Sequence, residues 1–257
     1  MEAKLFDSHA HYTDERLRDA ELIDGILAGD VGKIVVPASD LPDSREALLL
    51  AENFDGIYAA VGIHPHEVEA APEIDSAKDE IAKLLAHPKA VAIGEIGLDY
   101  YYGADTKDLQ AKYFDMQLSL SEETGYPVII HDRDAHADTL EAVKAHRKAT
   151  GVLHSCSCSA ETVKEWLSLG YYISFSGVIT FKNASRILET LAAVPLDRLL
   201  VETDCPYLAP VPMRGRTNHS GYLHFTAERA AEVLGVGYET LVCATYDNAC
   251  KLFGIIR

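Results

Sequence analysis

The feature that most constrains the fold is an alternation of apolar, β-branched stretches with amphipathic segments, repeated eight times along the chain. The amphipathic segments carry apolar residues every three or four positions, which is typical of helices, and the apolar stretches indicate strands. The predicted strands cover residues 4–12, 33–39, 57–64, 90–97, 127–133, 151–155, 171–178 and 198–204. This order predicts parallel strands joined by crossover helices.

Two architectures satisfy this order, a closed (β/α)₈ or TIM barrel and an open, doubly wound α/β sheet. The count of eight units favours the TIM barrel. Two further helical segments, at 225–235 and 238–254, are expected to cover its outside as extra C-terminal helices. Because the chain has no low-complexity linker and barrels of about 250 residues routinely form one domain, we expect a single domain over residues 1–257.

The net charge narrows the possible functions. Lys and Arg number 23 against 40 Asp and Glu, which gives a formal charge of −17. Such a protein repels phosphate backbones at long range, which excludes a reader of duplex DNA that binds through a basic surface. If the chain acts on phosphodiesters, the local positive charge must come from a few Arg and Lys side chains or from bound metal ions.

The chain carries no signal for a membrane or for secretion. No stretch approaches the roughly 18 apolar residues of a membrane-spanning helix, and the N-terminus lacks the basic-then-apolar layout of a secretory signal. The five cysteines are an odd, widely spread set, so a disulfide framework is not expected. We therefore expect no membrane partner and a location in the reducing cytoplasm, and a monomer is compatible with the sequence.

Histidines and carboxylates interrupt the predicted strands at their C-terminal ends, which is where TIM barrels carry their catalytic residues. On the first strand, Asp7, His9 and His11 occupy alternate positions, so a period of two places all three on one face. A single strand histidine is usually a core residue, whereas two adjacent inward imidazoles favour metal ligation.

Similar residues end four other predicted strands. Glu95 ends the fourth, His131 the fifth, His154 the sixth and Asp204 the eighth. Each carboxylate alone could cap the segment that follows it, but nitrogen and oxygen ligands at one end of five strands together favour a metal centre. The six candidate ligands are His9, His11, Glu95, His131, His154 and Asp204.

The type and number of these candidates indicate which ions would bind. Imidazoles and carboxylates without thiolates suit Zn²⁺, Mn²⁺ or Mg²⁺. Six side chains are more than one tetrahedral ion uses, which favours two divalent metal ions. Two ions roughly 4 Å apart would activate a water molecule and hold the oxygens of a phosphoryl group, so we expect metal-assisted hydrolysis.

Seven strings in the sequence together resemble the TatD family of metal-dependent deoxyribonucleases, in the amidohydrolase-like superfamily. They are FDSHAHY, GIHPH, IGEIGLDYY, IIHDR, YYISFSGVITFKNA, LLVETDCPYLAPVPMRGR and TYDNACKLFG, in the family's order from about residue 4 to 254. The resemblance implies a two-metal phosphodiesterase that acts as a 3′→5′ exonuclease on single-stranded DNA, with RNA as a further substrate. It also implies that Glu95 bridges the ions, one held with His9, His11 and Asp204 and the other with His131 and His154.

Further roles are expected for polar residues within these strings. Asp204, beside the activated water, is the expected general base. Glu202, two residues earlier on the same strand face, is expected to orient a ligand or to assist the proton relay. His64 is expected to hold a phosphate or the leaving group, and His66 is assigned to a turn made by Pro65.

Four cations are candidates for binding substrate phosphates. Arg133 shares the strand face of His131, where a guanidinium could grip a phosphate through two hydrogen bonds. Lys182, Arg214 and Arg216 are lesser candidates, and a solvated side chain explains Lys182 equally well.

Two segments depart from the family pattern. Members usually carry HCFSGS at the sixth strand, whereas this chain has HSCSCS from His154 onward. The spacing of Cys156 and Cys158 is poor for a disulfide, and we expect two small buried residues. His219 replaces a carboxylate of the family's NEPAY string and is expected to add an imidazole near the mouth. Because neither change touches the six ligands, we expect activity to survive and substrate preference to change.

Two other functions remain open. A metal-dependent hydrolase on the same scaffold could cleave an amide, an ester or an aminoacyl-RNA linkage. Cations around the metal centre would favour a polyanionic substrate, and their absence would favour a small neutral one. A non-enzymatic protein with a structural zinc site ranks last, because such sites are typically closed, four-coordinate and often rich in thiolates.

Overall fold

The computed structural model describes residues 4–256, which form one sheet of eight parallel strands. The strands are β1 (Leu5–Asp7), β2 (Val31–Pro37), β3 (Ile57–Val61), β4 (Ala90–Asp99), β5 (Val128–Arg133), β6 (Gly151–Leu153), β7 (Tyr172–Phe175) and β8 (Leu199–Val201). Neighbours pair in chain order from β1 to β8. Beyond the last strand, the N–H of Asp204 donates to the carbonyl of His9 at 2.9 Å, which brings β8 back to β1. The predicted barrel is therefore confirmed as a nearly closed one.

Helices connect the strands and follow the last of them. They are α1 (Ala20–Ala28), α2 (Leu41–Asn53), α3 (Ile74–Leu85), α4 (Lys107–Thr124), α5 (His136–Ala145), α6 (Ala160–Ser168), α7 (Ser185–Ala192), α8 (Leu223–Leu234) and α9 (Tyr238–Phe253). Local signals fix several ends. Asp40 accepts a hydrogen bond from the backbone of α2, and Gly125 ends α4 at a φ of 78°, a conformation that favours glycine.

Every strand contributes apolar surface to the interior of the barrel, and eight side chains represent the eight strands. These residues are Phe6, Val35, Ala60, Ala92, Ile129, Val152, Tyr172 and Leu200. Helix α9 packs across the N-terminal end of the barrel, where the ring of Phe253 stacks on that of Phe6 with centroids 6.0 Å apart. Helix α9 thus closes the N-terminal end of the barrel. The expectation that this helix covers the outside of the barrel is wrong.

Strand β1 is shorter than predicted and ends at Asp7. The Asp7 carboxylate is fully buried and accepts hydrogen bonds from the backbone N–H of Thr203 at 2.9 Å and the hydroxyl of Ser220 at 2.6 Å. Because these contacts turn it toward the chain beyond β8, the expectation that Asp7 shares a face with His9 and His11 is wrong.

Within residues 4–256, no helix combines the length and the apolar character that crossing a bilayer requires.

Candidate metal centre

An open cavity of about 840 Å³ lies at the C-terminal end of the strands. The predicted ligands that line it are His11, Glu95, His131, His154 and Asp204. The remaining candidate, His9, is fully buried, and its ring stacks on that of His154 with centroids 3.9 Å apart. The structure therefore brings all the predicted ligands together.

Strand alternation explains how the imidazoles reach this cavity. Ile129 and Val152 point into the barrel interior from β5 and β6. His131 and His154 lie two residues further along the same chain segments and so point the same way, at the end of the barrel where solvent enters. The imidazoles thus continue the rows of apolar interior side chains.

Glu95 stands between two groups of ligands. Its Oε1 atom lies 2.8 Å from Nδ1 of His131 and 2.8 Å from Nε2 of His154. Its Oε2 atom lies 3.4 Å from Nε2 of His9 and 3.9 Å from Nε2 of His11. One carboxylate therefore offers one oxygen to each group.

Asp204 completes the second group. Its Oδ1 atom lies 3.4 Å from Nε2 of His11 and 3.8 Å from Nε2 of His9. Asp204 has a φ of 54°, a left-handed conformation that is uncommon outside glycine and that clusters at functional sites. This backbone geometry supports a functional role for the orientation of the Asp204 carboxylate toward His9 and His11.

The donor set fits divalent cations. The Nε2 atoms of His9 and His11 converge to 3.1 Å, an approach that suits two nitrogen ligands of one ion. One ligand atom each from His9, His11 and Glu95 can lie within 4.8 Å of the others, and the same holds for His64, Glu95 and His131. These residues would hold an ion on either side of Glu95, and their nitrogen and oxygen donors suit Zn²⁺, Mn²⁺ or Mg²⁺.

The charges in the centre are strongly coupled. Burial alone would lower the pKa of His154, but the carboxylates of Glu95 and Glu202 raise that pKa well above its ordinary value. Burial likewise opposes a charge on Glu95, yet His154 and His9 hold the pKa of Glu95 well below its ordinary value. Without a cation, His154 is therefore protonated and offsets the charge of Glu95, whereas burial lowers the pKa of His9.

A further carboxylate, Asp99, links another histidine to the centre. Its Oδ2 atom lies 3.1 Å from Nε2 of His131 and 2.8 Å from Nε2 of His66. Neither Asp99 nor His66 was expected to take part, and both line the cavity. The available signal was the position of Asp99 in the string GLDYY, four residues beyond Glu95.

His64 lines the cavity, as expected of a residue at the end of β3. Its Nε2 atom lies 3.8 Å from Oε1 of Glu95. Burial lowers the pKa of His64 well below its ordinary value, so the ring is neutral. A neutral imidazole here can join Glu95 and His131 as a ligand or contact the substrate, and its predicted hold on a phosphate or leaving group stays a prediction.

Glu202 lies behind His154 and does not line the cavity. It is fully buried, and its Oε1 atom lies 3.1 Å from Nδ1 of His154 and accepts a hydrogen bond from the N–H of Ser155 at 2.7 Å. Of the two roles expected for Glu202, these contacts favour the orientation of a ligand.

Similarity to known proteins identifies the family of this chain. A family model described as TatD related DNase matches residues 6–254. This chain belongs to the TatD family. It is 40% identical over 258 residues to the uncharacterized metal-dependent hydrolase YabD of Bacillus subtilis, with 98% of this chain and 99% of that protein covered. It is 39% identical to the uncharacterized metal-dependent hydrolase YcfH of Escherichia coli K12, with 98% and 96% covered.

A solved structure shows the same architecture. The crystal structure of YjjV, a TatD homologue from Escherichia coli K12, matches with a TM-score of 0.91 at 29% identity and covers 100% of both chains. Family membership and these relatives establish the chain as a metal-dependent hydrolase of the TatD family.

Of the predicted phosphate-binding cations in this TatD-family chain, Arg133 alone is among the residues lining the cavity. Its guanidinium lies over the rings of Tyr101 and Tyr102, at 4.4 and 4.7 Å from their centroids. Both tyrosines are exposed. Arg133, Tyr101 and Tyr102 thus form an arginine–tyrosine surface at the rim.

The other three predicted cations are exposed and lie outside the cavity lining: Lys182, Arg214 and Arg216. The guanidinium of Arg214 donates a hydrogen bond to the carbonyl of Ala209 at 3.1 Å and lies 4.0 Å from the centroid of the Phe181 ring. Arg214 is thus engaged elsewhere, and the phosphate contacts of all three stay predictions.

The two departures from the TatD pattern lie away from the cavity. Cys156 and Cys158 are buried, as expected, and Cys158 faces Asp132 and His136. The ring of His219 packs on that of Tyr222 with centroids 3.9 Å apart. His219 therefore adds no imidazole to the cavity lining, contrary to expectation.

Proposed function

We propose that this chain is a two-ion phosphodiesterase that removes nucleotides from the 3′ end of single-stranded DNA, with RNA as a further substrate. The observation that carries the proposal is the position of Glu95, whose two oxygens face two separate ligand groups. A pair of ions bridged in this way suits in-line displacement at phosphorus. The family description, TatD related DNase, favours a nucleic-acid substrate.

When bound, two divalent ions would activate a water molecule and offset the negative charge of a phosphoryl group. Asp204 lines the cavity and would accept the proton of the attacking water. Burial would raise the pKa of Asp204, but the hydrogen bond with His11 holds it below its ordinary value, so the carboxylate is ionised and able to accept. His64, neutral and facing the cavity, can hydrogen-bond the leaving oxygen.

The arginine–tyrosine surface supports a nucleic-acid substrate. A guanidinium binds a phosphate through paired hydrogen bonds, and exposed aromatic rings stack with bases whatever their identity. Tyr102 and Arg133 both line the cavity. A single strand entering beside them would place a base on the rings and a phosphate near the metal centre.

A second candidate function has one observation in its favour. Carboxylates outside the proposed ligand set outnumber cations in the cavity lining: Asp14, Asp40, Asp43, Glu46, Glu67 and Asp99 stand against Arg133. A cavity lining with this excess of negative charge repels a polyanion unless bound ions offset the charge. It favours hydrolysis of an amide or ester bond in a small neutral substrate by the same centre.

One experiment separates the two candidates. The purified protein, given Mg²⁺, Mn²⁺ or Zn²⁺ in turn, is incubated with single-stranded DNA labelled at either end, with duplex DNA, with RNA, and with neutral esters and amides. The proposal expects single nucleotides released from the 3′ end, a reaction stopped by EDTA and restored by metal. Hydrolysis of neutral substrates without attack on any oligonucleotide supports the second candidate, and full activity in EDTA contradicts both.

A further inference from the structure

A second cluster of metal-binding side chains lies behind the metal centre, between β5, α5 and the loop that follows β6. His131 points into the cavity, and the alternation of β5 turns its neighbour Asp132 to the opposite side. There Asp132 meets His136, at the start of α5, and Cys158, in the loop that carries the departure from the family pattern.

The three side chains converge on one point. Oδ2 of Asp132 lies 2.8 Å from Nδ1 of His136. Sγ of Cys158 lies 3.5 Å from Nδ1 of His136 and 3.8 Å from Oδ2 of Asp132. One ligand atom from each residue lies within 4.8 Å of the others. This spacing suits three ligands of a single ion, because metal–ligand bonds of about 2.0–2.3 Å place neighbouring donors of a tetrahedron roughly 3–4 Å apart.

The second observation is an unpartnered oxygen. The Asp132 side chain is only 1% exposed, yet its Oδ1 atom has no hydrogen-bond partner within residues 4–256. A buried carboxylate with one oxygen unpartnered is costly, and an ion bound by this carboxylate would offset its charge. Cys156, two residues before Cys158, is also buried, so a second sulfur lies near the site.

We propose that Asp132, His136 and Cys158 bind a Zn²⁺-type ion at a site separate from the cavity, with Cys156 available as the fourth ligand. Sulfur, imidazole and carboxylate together are a zinc-type set, whereas Mg²⁺ and Mn²⁺ prefer oxygen. On binding, the thiol of Cys158 and Nδ1 of His136 each lose their proton to solvent, and the sulfur and the nitrogen form bonds to the ion with no change of oxidation state.

The position of this site suggests what it does for the protein. It would tie β5, which carries His131, to the loop that follows His154. An ion there would fix two strands of the catalytic end relative to each other without touching the substrate. The inference does not depend on which bond the cavity hydrolyses.

Cobalt substitution tests the site, because thiolate ligands give Co²⁺ an intense near-ultraviolet charge-transfer absorption that imidazole and carboxylate ligands do not. The metal-free protein is titrated with Co²⁺ and then with Zn²⁺. We expect the band to appear in the native chain and to disappear on Zn²⁺ addition. It should be lost in C158A and weakened in H136Q, whose side chain is 35% exposed and tolerates replacement. The matched control C243A, at a partly buried position on α9, should keep it.

Zinc content gives the second measurement. The native chain should retain one more tightly bound Zn²⁺ than C158A, and E95Q should keep that ion because Glu95 lies in the cavity. A cobalt-loaded native chain without the band, or a band of equal strength in C158A, overturns the proposal. If C158A does not fold, the test depends on H136Q. A cobalt titration of H136Q that matches that of the native chain would contradict the proposed site.

Discussion

Nδ1 of His154 lies 3.1 Å from Oε1 of Glu202, so the imidazole that meets Glu95 on one edge is held by a buried carboxylate on the other. Asp99 stands in the same relation to His131, at 3.1 Å from its Nε2 atom. Imidazole–carboxylate pairs of this kind fix the orientation of the ring and raise the basicity of its ligand nitrogen. The centre therefore depends on residues that do not themselves face an ion.

Replacing Glu202 with Gln keeps the shape of the side chain but removes its charge. We expect the affinity for the ion beside His154 to fall by about 10–100-fold, since partners behind a metal ligand typically contribute that much. Activity should recover in excess metal, with little change in KM for the substrate. Metal titrations of activity measure this, with the exposed Glu189→Gln as the control. Loss of activity that excess metal does not restore would contradict a positioning role.

Glu95→Gln removes the charge shared by the two ligand groups. We expect the binding of both ions and the hydrolytic activity to be lost together, because each group meets one oxygen of this carboxylate. Metal analysis after dialysis, together with the activity assay, tests this. Glu228→Gln, at an exposed position of α8, should behave like the native chain. If the variant still held two ions tightly, the bridging role would be wrong.

Metal affinity should rise with pH. In the metal-free centre the carboxylates around His154 and His131 raise the pKa of both imidazoles above the ordinary value, so an incoming ion must displace protons. Lowering the pH should weaken the binding of the ions because protons compete for the two imidazoles. Raising the pH should strengthen ion binding until both imidazoles are neutral. Calorimetric titrations in buffers of different ionisation enthalpy count the protons released. Release of no protons at neutral pH would contradict the protonated state.

Arg133→Ala should weaken the use of oligonucleotides while sparing a small phosphodiester. A hydrogen bond to a charged group is worth about 1.5–3 kcal/mol, so kcat/KM on single strands should fall roughly 10–100-fold, mainly through KM. Steady-state kinetics on both substrates test this. Arg45→Ala, which removes an exposed arginine paired with Glu80, is the matched control. An equal loss on both substrates would indicate a damaged centre instead.

Phe253→Ala should destabilise the barrel without altering its chemistry. The ring is 4% exposed and stacks on Phe6, and removal of a buried phenylalanine costs about 3–5 kcal/mol. Urea denaturation measures the free energy of unfolding, and Ile256→Ala, at a side chain that is 89% exposed, should change it by less than about 0.5 kcal/mol. Activity per folded molecule should stay unchanged. A loss of stability as small as that of the control would show that α9 contributes little.

Much of this fold could be predicted because its signals are local. The periods of apolar residues mark the eight strands, and Gly125 marks the end of α4. The course of β1 could not be predicted in the same way, because the contacts of Asp7 with Thr203 and Ser220 join residues about two hundred positions apart. The amphipathic pattern of α9 likewise indicates a helix without showing which opening it covers.

The ligand groups were accessible to sequence reasoning because each candidate ends a strand and all parallel strands end on the same side. Asp99 and His66 were missed because they meet across 33 positions, from a strand end and a turn that share no period. The sequence could not show that Arg133 lines the cavity whereas Arg214 binds the carbonyl of Ala209, because both arginines lie in strings that resemble the family.

The stacking of Phe253 on Phe6 also bears on biosynthesis. Translation completes all eight strands before it reaches α9. The N-terminal end of a nascent barrel is therefore uncovered, and its interior apolar side chains stay exposed to solvent. Apolar surface left open in this way promotes aggregation and attracts chaperones. Prematurely terminated products that stop short of the last helix should therefore be cleared or aggregate, although they contain every residue of the metal centre.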